Sequence, residues 1–207
     1  MNAERPTRGR PPRVRAGLDT RSRITGTAAE LMRRQGYHAT GLAEVVARSG
    51  APRGSLYHYF PGGKEQLASE VVAGGAKVVT ALITATFAAN PDLAGVLRTF
   101  ADALAANLAR SGFRDGCPVA TITLDAASDS ALIGESCAAG FTDWRDTIAA
   151  ELSRRGFAAG EAAKAATLVL SAFEGALLMA RATRNVQPLH DVADTLAARL
   201  TPEAVAR

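Results

Sequence analysis

The sequence predicts an all-α protein of about nine helices, and three observations predict it. Alanine, the strongest helix former, supplies 44 of the 207 residues. From Asp19 onward the apolar residues recur at steps of three and four, the spacing of one helical face. No segment alternates apolar and polar residues long enough to make a convincing strand. Hydrophobic residues at 47% and charged residues at 21% are an ordinary globular balance, which excludes wholesale disorder.

Each element has its own signal. Ile24, Ala28, Leu31 and Met32 form the stripe of a first helix that Gly36 ends. Thr40 is placed to cap a short second helix carrying Leu42, Val45 and Val46, which Gly50 closes. Pro52 sits where a first helical residue belongs and opens a third helix over 53–59. Pro61-Gly62-Gly63 breaks the chain before a long helix from Lys64 towards Phe87, bent at Gly74-Gly75. Asn90-Pro91-Asp92 starts the next, with the stripe Leu93, Val96, Leu97, Phe100, Leu104 and Leu108. A short apolar helix over 117–127 follows, and then a long one opened by Asp129 with Ile133, Cys137, Phe141, Trp144, Ile148 and Leu152. The segment 161–185 is nearly apolar all round between Leu168 and Met179, and Pro188 opens a last helix with Leu189, Val192, Leu196 and Leu200.

Charge divides the chain more sharply than composition does. Residues 1–60 hold 11 arginines against four acids, a net of +7, whereas residues 61–207 carry a net of −3. A cationic end on a mildly acidic body suits a polyanion touched at one end only, although a basic tail is also what a solvated terminus looks like. An anionic membrane is the other polyanion, but Pro6, Pro11 and Pro12 forbid an amphipathic basic helix there. Within this tail Arg8-Gly9-Arg10-Pro11 resembles the core of an AT-hook, whose glycine admits the backbone to the minor groove between arginines. The uncharged apolar run Ala165 to Phe173 is nine residues, too short for a bilayer, and no signal-peptide core follows the N-terminus. The expectation is a soluble, cytoplasmic protein without a membrane partner.

Residues 40–60 carry the functional signal. Two short helices joined by a tight glycine-containing turn, behind a longer supporting helix, make a helix-turn-helix unit. The second helix presents Arg53, Gly54 and Ser55 at its leading end: arginine binds guanine bidentately, serine donates or accepts, and glycine permits close approach. Thr40, Tyr57 and His58 are placed to donate to phosphates, and Lys64 adds a charge at the next helix N-terminus. Leu56 and Phe60, four apart, face inward and lock the unit. The expected layout is a basic flexible tail over 1–18, a DNA-binding domain over 19–66, and an effector-binding and dimerisation domain over 67–207.

The run Gly36-Tyr37, Ala39-Thr40, Gly50, Arg53-Gly54-Ser55-Leu56-Tyr57-His58-Tyr59-Phe60 and Lys64-Glu65-Gln66-Leu67 resembles the TetR family of bacterial repressors over about residues 20–70. It departs in having both Gly62 and Gly63 between Pro61 and Lys64, where one residue is usual, and in Gly26 and Gly41. Gly116-Cys117-Pro118-Val119-Ala120, Phe141 with Trp144, and Glu174-Gly175-Ala176-Leu177-Leu178-Met179-Ala180-Arg181 are similar to the LmrA/YxaF-like branch. The resemblance implies a helical C-terminal domain that dimerises through its last two helices and encloses a pocket for a small effector, in that branch mostly aromatic or drug-like.

Phe100, Phe113, Cys117, Trp144, Phe173 and Glu174 are the candidate pocket residues. Each also has a plain packing reading, but in such a domain the core is where a cavity forms. Cys117, in apolar surroundings with no cation run beside it, reads as wall or core rather than redox sensor. Glu174, a carboxylate amid Leu168 to Met179, either pairs with Arg181 or Arg184 across a dimer seam or reads a polar group on the effector. His38, His58 and His190 have no metal-site spacing, and no cofactor motif occurs. Gly134-Glu135-Ser136-Cys137-Ala138 lacks the closing glycine of a nucleophile elbow, and Gly63-Lys64-Glu65 lacks the rest of a phosphate loop, so no enzyme is expected. The expected function is a homodimeric, ligand-responsive repressor of a palindromic operator, with double-stranded DNA, a small effector and a second copy as partners. The alternatives are an activator, or a small-molecule binding protein with no DNA role.

Overall fold

A computed structural model of the protein describes residues 19–200, which form nine helices and no strand. They are α1 (Thr20–Ala39), α2 (Leu42–Ser49), α3 (Ser55–Tyr59), α4 (Gly63–Ala89), α5 (Leu93–Arg110), α6 (Pro118–Ala126), α7 (Ala131–Arg154), α8 (Ala159–Thr183) and α9 (Gln187–Arg199). The Arg8-Gly9-Arg10-Pro11 tail lies outside the described residues.

Side-chain caps start three of these helices where the sequence has a short polar residue. Asp19 accepts from the Ser22 amide at 2.7 Å, Asp92 from Gly95 at 2.7 Å, and Ser130, not Asp129, from Ile133 at 3.3 Å. Each cap stabilises by about 1 kcal/mol by satisfying an otherwise orphaned amide. Thr40 does not cap α2. That helix begins at an uncapped Gly41, so tertiary contacts have to hold it. The third helix starts at Ser55, because Pro52, Arg53 and Gly54 form a turn closed by the Ser55 amide on the Pro52 carbonyl at 2.9 Å.

The centre of the larger body is the crossing of α4 and α7. The Trp144 ring is fully buried, and its indole N–H donates to the Ala76 carbonyl at 2.9 Å. Gly140 faces Ala76, where a Cβ would come within 3.2 Å of the alanine methyl, so the two backbones meet closely. α4 runs unbroken through Gly74-Gly75, and Gly75 meets a packing demand: a Cβ there would lie 2.8 Å from Pro118. By length and composition α4 and α8 are apolar enough to cross a membrane; here each packs a buried face against α7. The expectation that α9 offers its leucines to a partner is corrected. Leu189, Leu196 and Leu200 are buried within the chain, where α9 packs on α5 and α8.

Gly36 breaks α1 at φ 81° and ψ 175°, a conformation reserved for glycine, so only the last turn lies beyond it. The break lets α6 approach: Asp125 accepts the His38 amide at 2.8 Å, and a Cβ on Gly36 would fall 2.8 Å from the same carboxylate. Gly36→Ala should therefore destabilise the chain by about 1–3 kcal/mol, read as a drop in the thermal midpoint. An unchanged midpoint would contradict this account of the joint.

Candidate nucleic-acid interface and ligand cavity

Tertiary contacts fix the short helices at the N-terminal end. Leu56 and Phe60 are buried as the sequence requires, and the Arg21 guanidinium lies 5.5 Å over the Phe60 ring while pairing with Glu70 of α4 at 2.7 Å. The end of α2 is held from α1, where Arg23 donates to the Ser49 carbonyl at 3.2 Å. Gly50 adopts the left-handed conformation at φ 62°, and the Ser49 hydroxyl accepts from Ala51 at 3.3 Å. The turn into α3 is thus set by Arg23, Ser49, Gly50 and Ala51 before the chain reaches Pro52.

This scaffold leaves the leading turn outside. Arg53 and Gly54 are exposed and Ser55 is half-exposed, and Arg53 takes part in no ion pair among the described residues. Tyr57 is 64% exposed, and His58 is exposed with its ring edge-on to Tyr59 at 4.9 Å. Two expected phosphate contacts are placed otherwise. Thr40 is fully buried, its hydroxyl donating to the Gly36 carbonyl at 2.7 Å, because the broken end of α1 leaves that acceptor unsatisfied. Lys64 turns inward: its ammonium donates to the His38 carbonyl at 3.2 Å and lies 4.4 Å over the Tyr37 ring. Burial lowers its pKa, with the charge of Asp125 opposing. The additional glycine contributes to this placement. Gly63 takes φ 66° and closes the turn on the Phe60 carbonyl at 2.9 Å.

A cavity of about 510 Å³ opens among α1, α4, α5, α7, α8 and the segment before α6. Phe100, Cys117, Trp144, Phe173 and Glu174 all line it, and Phe100 and Phe173 meet edge to face at 5.1 Å. Phe113 does not. It sits at φ 62° in the loop after α5, 5.5 Å under the Arg184 guanidinium. A second cavity of about 610 Å³ lies between the end of α1, α6 and α8, and the two share Gly116, Cys117, Glu174 and Leu177 as walls.

Two of these wall residues have shifted titrations. The Cys117 thiol caps α6, accepting from Ala120 at 3.4 Å; burial, and then the Glu174 charge, push its pKa well above the usual thiol value. A thiol held protonated in this way has little thiolate character. Burial likewise raises the Glu174 pKa, which a hydrogen bond with Cys117 partly offsets. Neither expected arginine neutralises it within the chain, since Arg181 reaches the Arg34 carbonyl at 3.4 Å and Arg184 covers Phe113.

The sequence reading missed the polar groups that tie this cavity to α1. Asp115 is buried, pairing with Arg33 at 2.7 Å and Arg34 at 3.2 Å. Arg33, Asp115 and Asn107 line the cavity at that end. Adjacent arginines on α1 were a visible signal, but their anion lies 81 positions away in an irregular loop.

Comparison with known proteins agrees with both halves of this geometry. Residues 24–71 match the model of bacterial regulatory proteins of the tetR family, and residues 94–195 match the C-terminal domain of LmrA/YxaF-like transcriptional regulators. The chain is 37% identical over 182 residues to the uncharacterized HTH-type transcriptional regulator YxaF of Bacillus subtilis, covering 86% of this chain and 93% of YxaF. The chain belongs to the TetR family. It is 32% identical over 171 residues to the HTH-type transcriptional regulator LmrA of B. subtilis, covering 83% and 91% of the two chains. In fold it is similar to a TetR transcriptional regulator from Legionella pneumophila (TM-score 0.78, 20% identity, 89% and 98% covered) and to reduced NemR of E. coli (0.77, 19%, 87% and 96%). The chain is therefore a transcriptional regulator with an N-terminal DNA-binding domain, and not an enzyme.

The Glu174 environment gives a stability prediction. A carboxyl whose pKa rises on folding binds its proton more tightly in the folded chain, so its contribution to stability falls as pH rises from the ordinary carboxyl range through the raised value. Glu174→Gln should melt higher than the parent at about pH 7.5, with the difference closing towards pH 4. A variant that melts lower at neutral pH would contradict the burial argument.

Proposed function

We propose that the protein is a homodimeric repressor that leaves its operator when a small, largely apolar effector enters the 510 Å³ cavity. One observation carries the reading: the turn at Arg53-Gly54-Ser55 projects from a helix whose other side is locked in the core. Arg53 and Ser55 read base edges, Gly54 allows close approach, and Tyr57 and His58 hold phosphates. Lys64 joins them only by exchanging the His38 carbonyl for a phosphate oxygen.

The dimer seam is assigned to α8. Leu168, Leu178 and Met179 are 52%, 60% and 59% exposed on one face of that helix, with the small Ser171 and Gly175 between them. Two such faces, with the neighbouring α9 helices, close a four-helix contact and set the two reading turns about 34–36 Å apart, or a multiple, on a roughly palindromic site in cytoplasmic DNA. Effector occupancy acts through the segment 115–117, which lines the cavity and grips α1 through Asp115. A 100-fold loss of operator affinity requires about 2.7 kcal/mol of differential binding between the two conformers.

Arg53→Ala should abolish discrimination between operator and scrambled DNA in a gel-shift titration while leaving sedimentation unchanged; retained discrimination would remove the base-reading role. Operator affinity of the parent should fall roughly a thousandfold between about 50 and 200 mM salt. The double variant Leu168→Glu with Leu178→Glu should sediment as a folded monomer, and a persisting dimer would move the seam elsewhere.

A further inference from the structure

The 510 Å³ cavity has a charge pattern that its shape alone does not disclose. Its body is apolar and aromatic, walled by Phe100, Phe173 and Trp144, and the one polar group among these rings, the Trp144 indole N–H, is spent on Ala76. At the α1 end Asp115 is taken by Arg33 and Arg34, and Arg34 is shared with Glu30, so these four charges balance; Arg110, exposed at the end of α5, is the remaining cation of the lining. Glu174 is different. It faces this cavity and its neighbour, forms no ion pair among the described residues, and has only the weak thiol donor of Cys117 beside it. Arg34 and Arg181, which share the neighbouring cavity with it, are committed to Asp115 and to a backbone carbonyl; on α7, Arg145 pairs with Asp146. A carboxylate partly withdrawn from water without an ion-pair partner is costly, and no cation among the described residues pairs with this one.

We propose that the effector site is built for an organic cation: an aromatic or aliphatic body carrying an ammonium, with Glu174 as its counter-ion. This rests on the reading of the cavity as the effector site and narrows it to a chemical class. The ammonium supplies the charge that Glu174 lacks, and the faces of the surrounding rings attract the same cation. A neutral ligand of equal shape offers the carboxylate one hydrogen bond at most, and an anionic group placed beside Glu174 is repelled by it.

Three probes with one body separate these cases: 1-naphthylmethylamine, 1-naphthalenemethanol and 1-naphthoate, each titrated against the full chain at neutral pH. The chain has a single tryptophan, Trp144, and it lines the cavity, so its fluorescence reports entry directly. The amine should bind at least tenfold more tightly than the alcohol and more tightly still than the carboxylate. In Glu174→Gln the amine and the alcohol should bind within about twofold of one another, with the alcohol's affinity nearly that of the parent. Equal affinities for amine and alcohol in the parent would overturn the cation assignment while leaving the cavity as the effector site. An amine preference that survives in Glu174→Gln would also overturn it. If none of the three changes Trp144 emission, the cavity reading and the cation assignment fall together.

Discussion

The carboxylate of Asp115 is the interaction on which the arrangement depends. Burying one charge is unfavourable unless it is paired, and here two consecutive arginines of α1 pair it from a loop that also borders the cavity. Removing either side would leave an uncompensated charge in a low-dielectric setting, so the loop and α1 hold position together. A second carboxylate, Asp125, binds the other side of the Gly36 break through the His38 amide. The supporting helix of the DNA-binding unit is thereby gripped at two points, by the loop before α6 and by the last turn of α6 itself, which makes the cavity wall and that unit mechanically continuous.

That continuity extends to α4. His38 accepts Lys64 at its carbonyl and gives its amide to Asp125, so the backbone of a single residue links α6 to the start of α4. Glu70 of α4 in turn holds Arg21, which covers Phe60 beneath the reading turn. Interfaces of this kind rearrange between discrete packings and do not deform smoothly, which is what coupling two distant sites requires. The closeness of α4 and α7 at Ala76 and Gly140 supplies the rigid floor against which such a shift has meaning.

Helix count, the inward pair Leu56 and Phe60, the exposed turn at 53–55 and five of six cavity residues were legible because each depends on local chemistry: periodicity, a proline, a glycine, an aromatic in a helical stripe. What escaped was set by distance in the chain. Thr40 reads as a helix cap, but the break at Gly36 offers its hydroxyl a nearer acceptor. Leu196 and Leu200 read as a seam because a helical stripe does not say which neighbour covers it, and α5 does. Phe113 carries the right chemistry in a loop whose left-handed backbone turns it towards Arg184. Pairing of Asp115 with α1 has no local signature at all.

The division of labour inside the third helix has a further consequence. Leu56 and Phe60, with the half-buried Tyr59, do the anchoring, while Arg53 and Gly54 are exposed and Ser55 is half-exposed. On the proposed reading, recognition is thus decoupled from folding at adjacent positions of one short segment. On the proposed reading, descendants of this gene can acquire new target sites by exchanging two or three exposed side chains, which leaves the choice of target free to drift while the larger helical body stays intact.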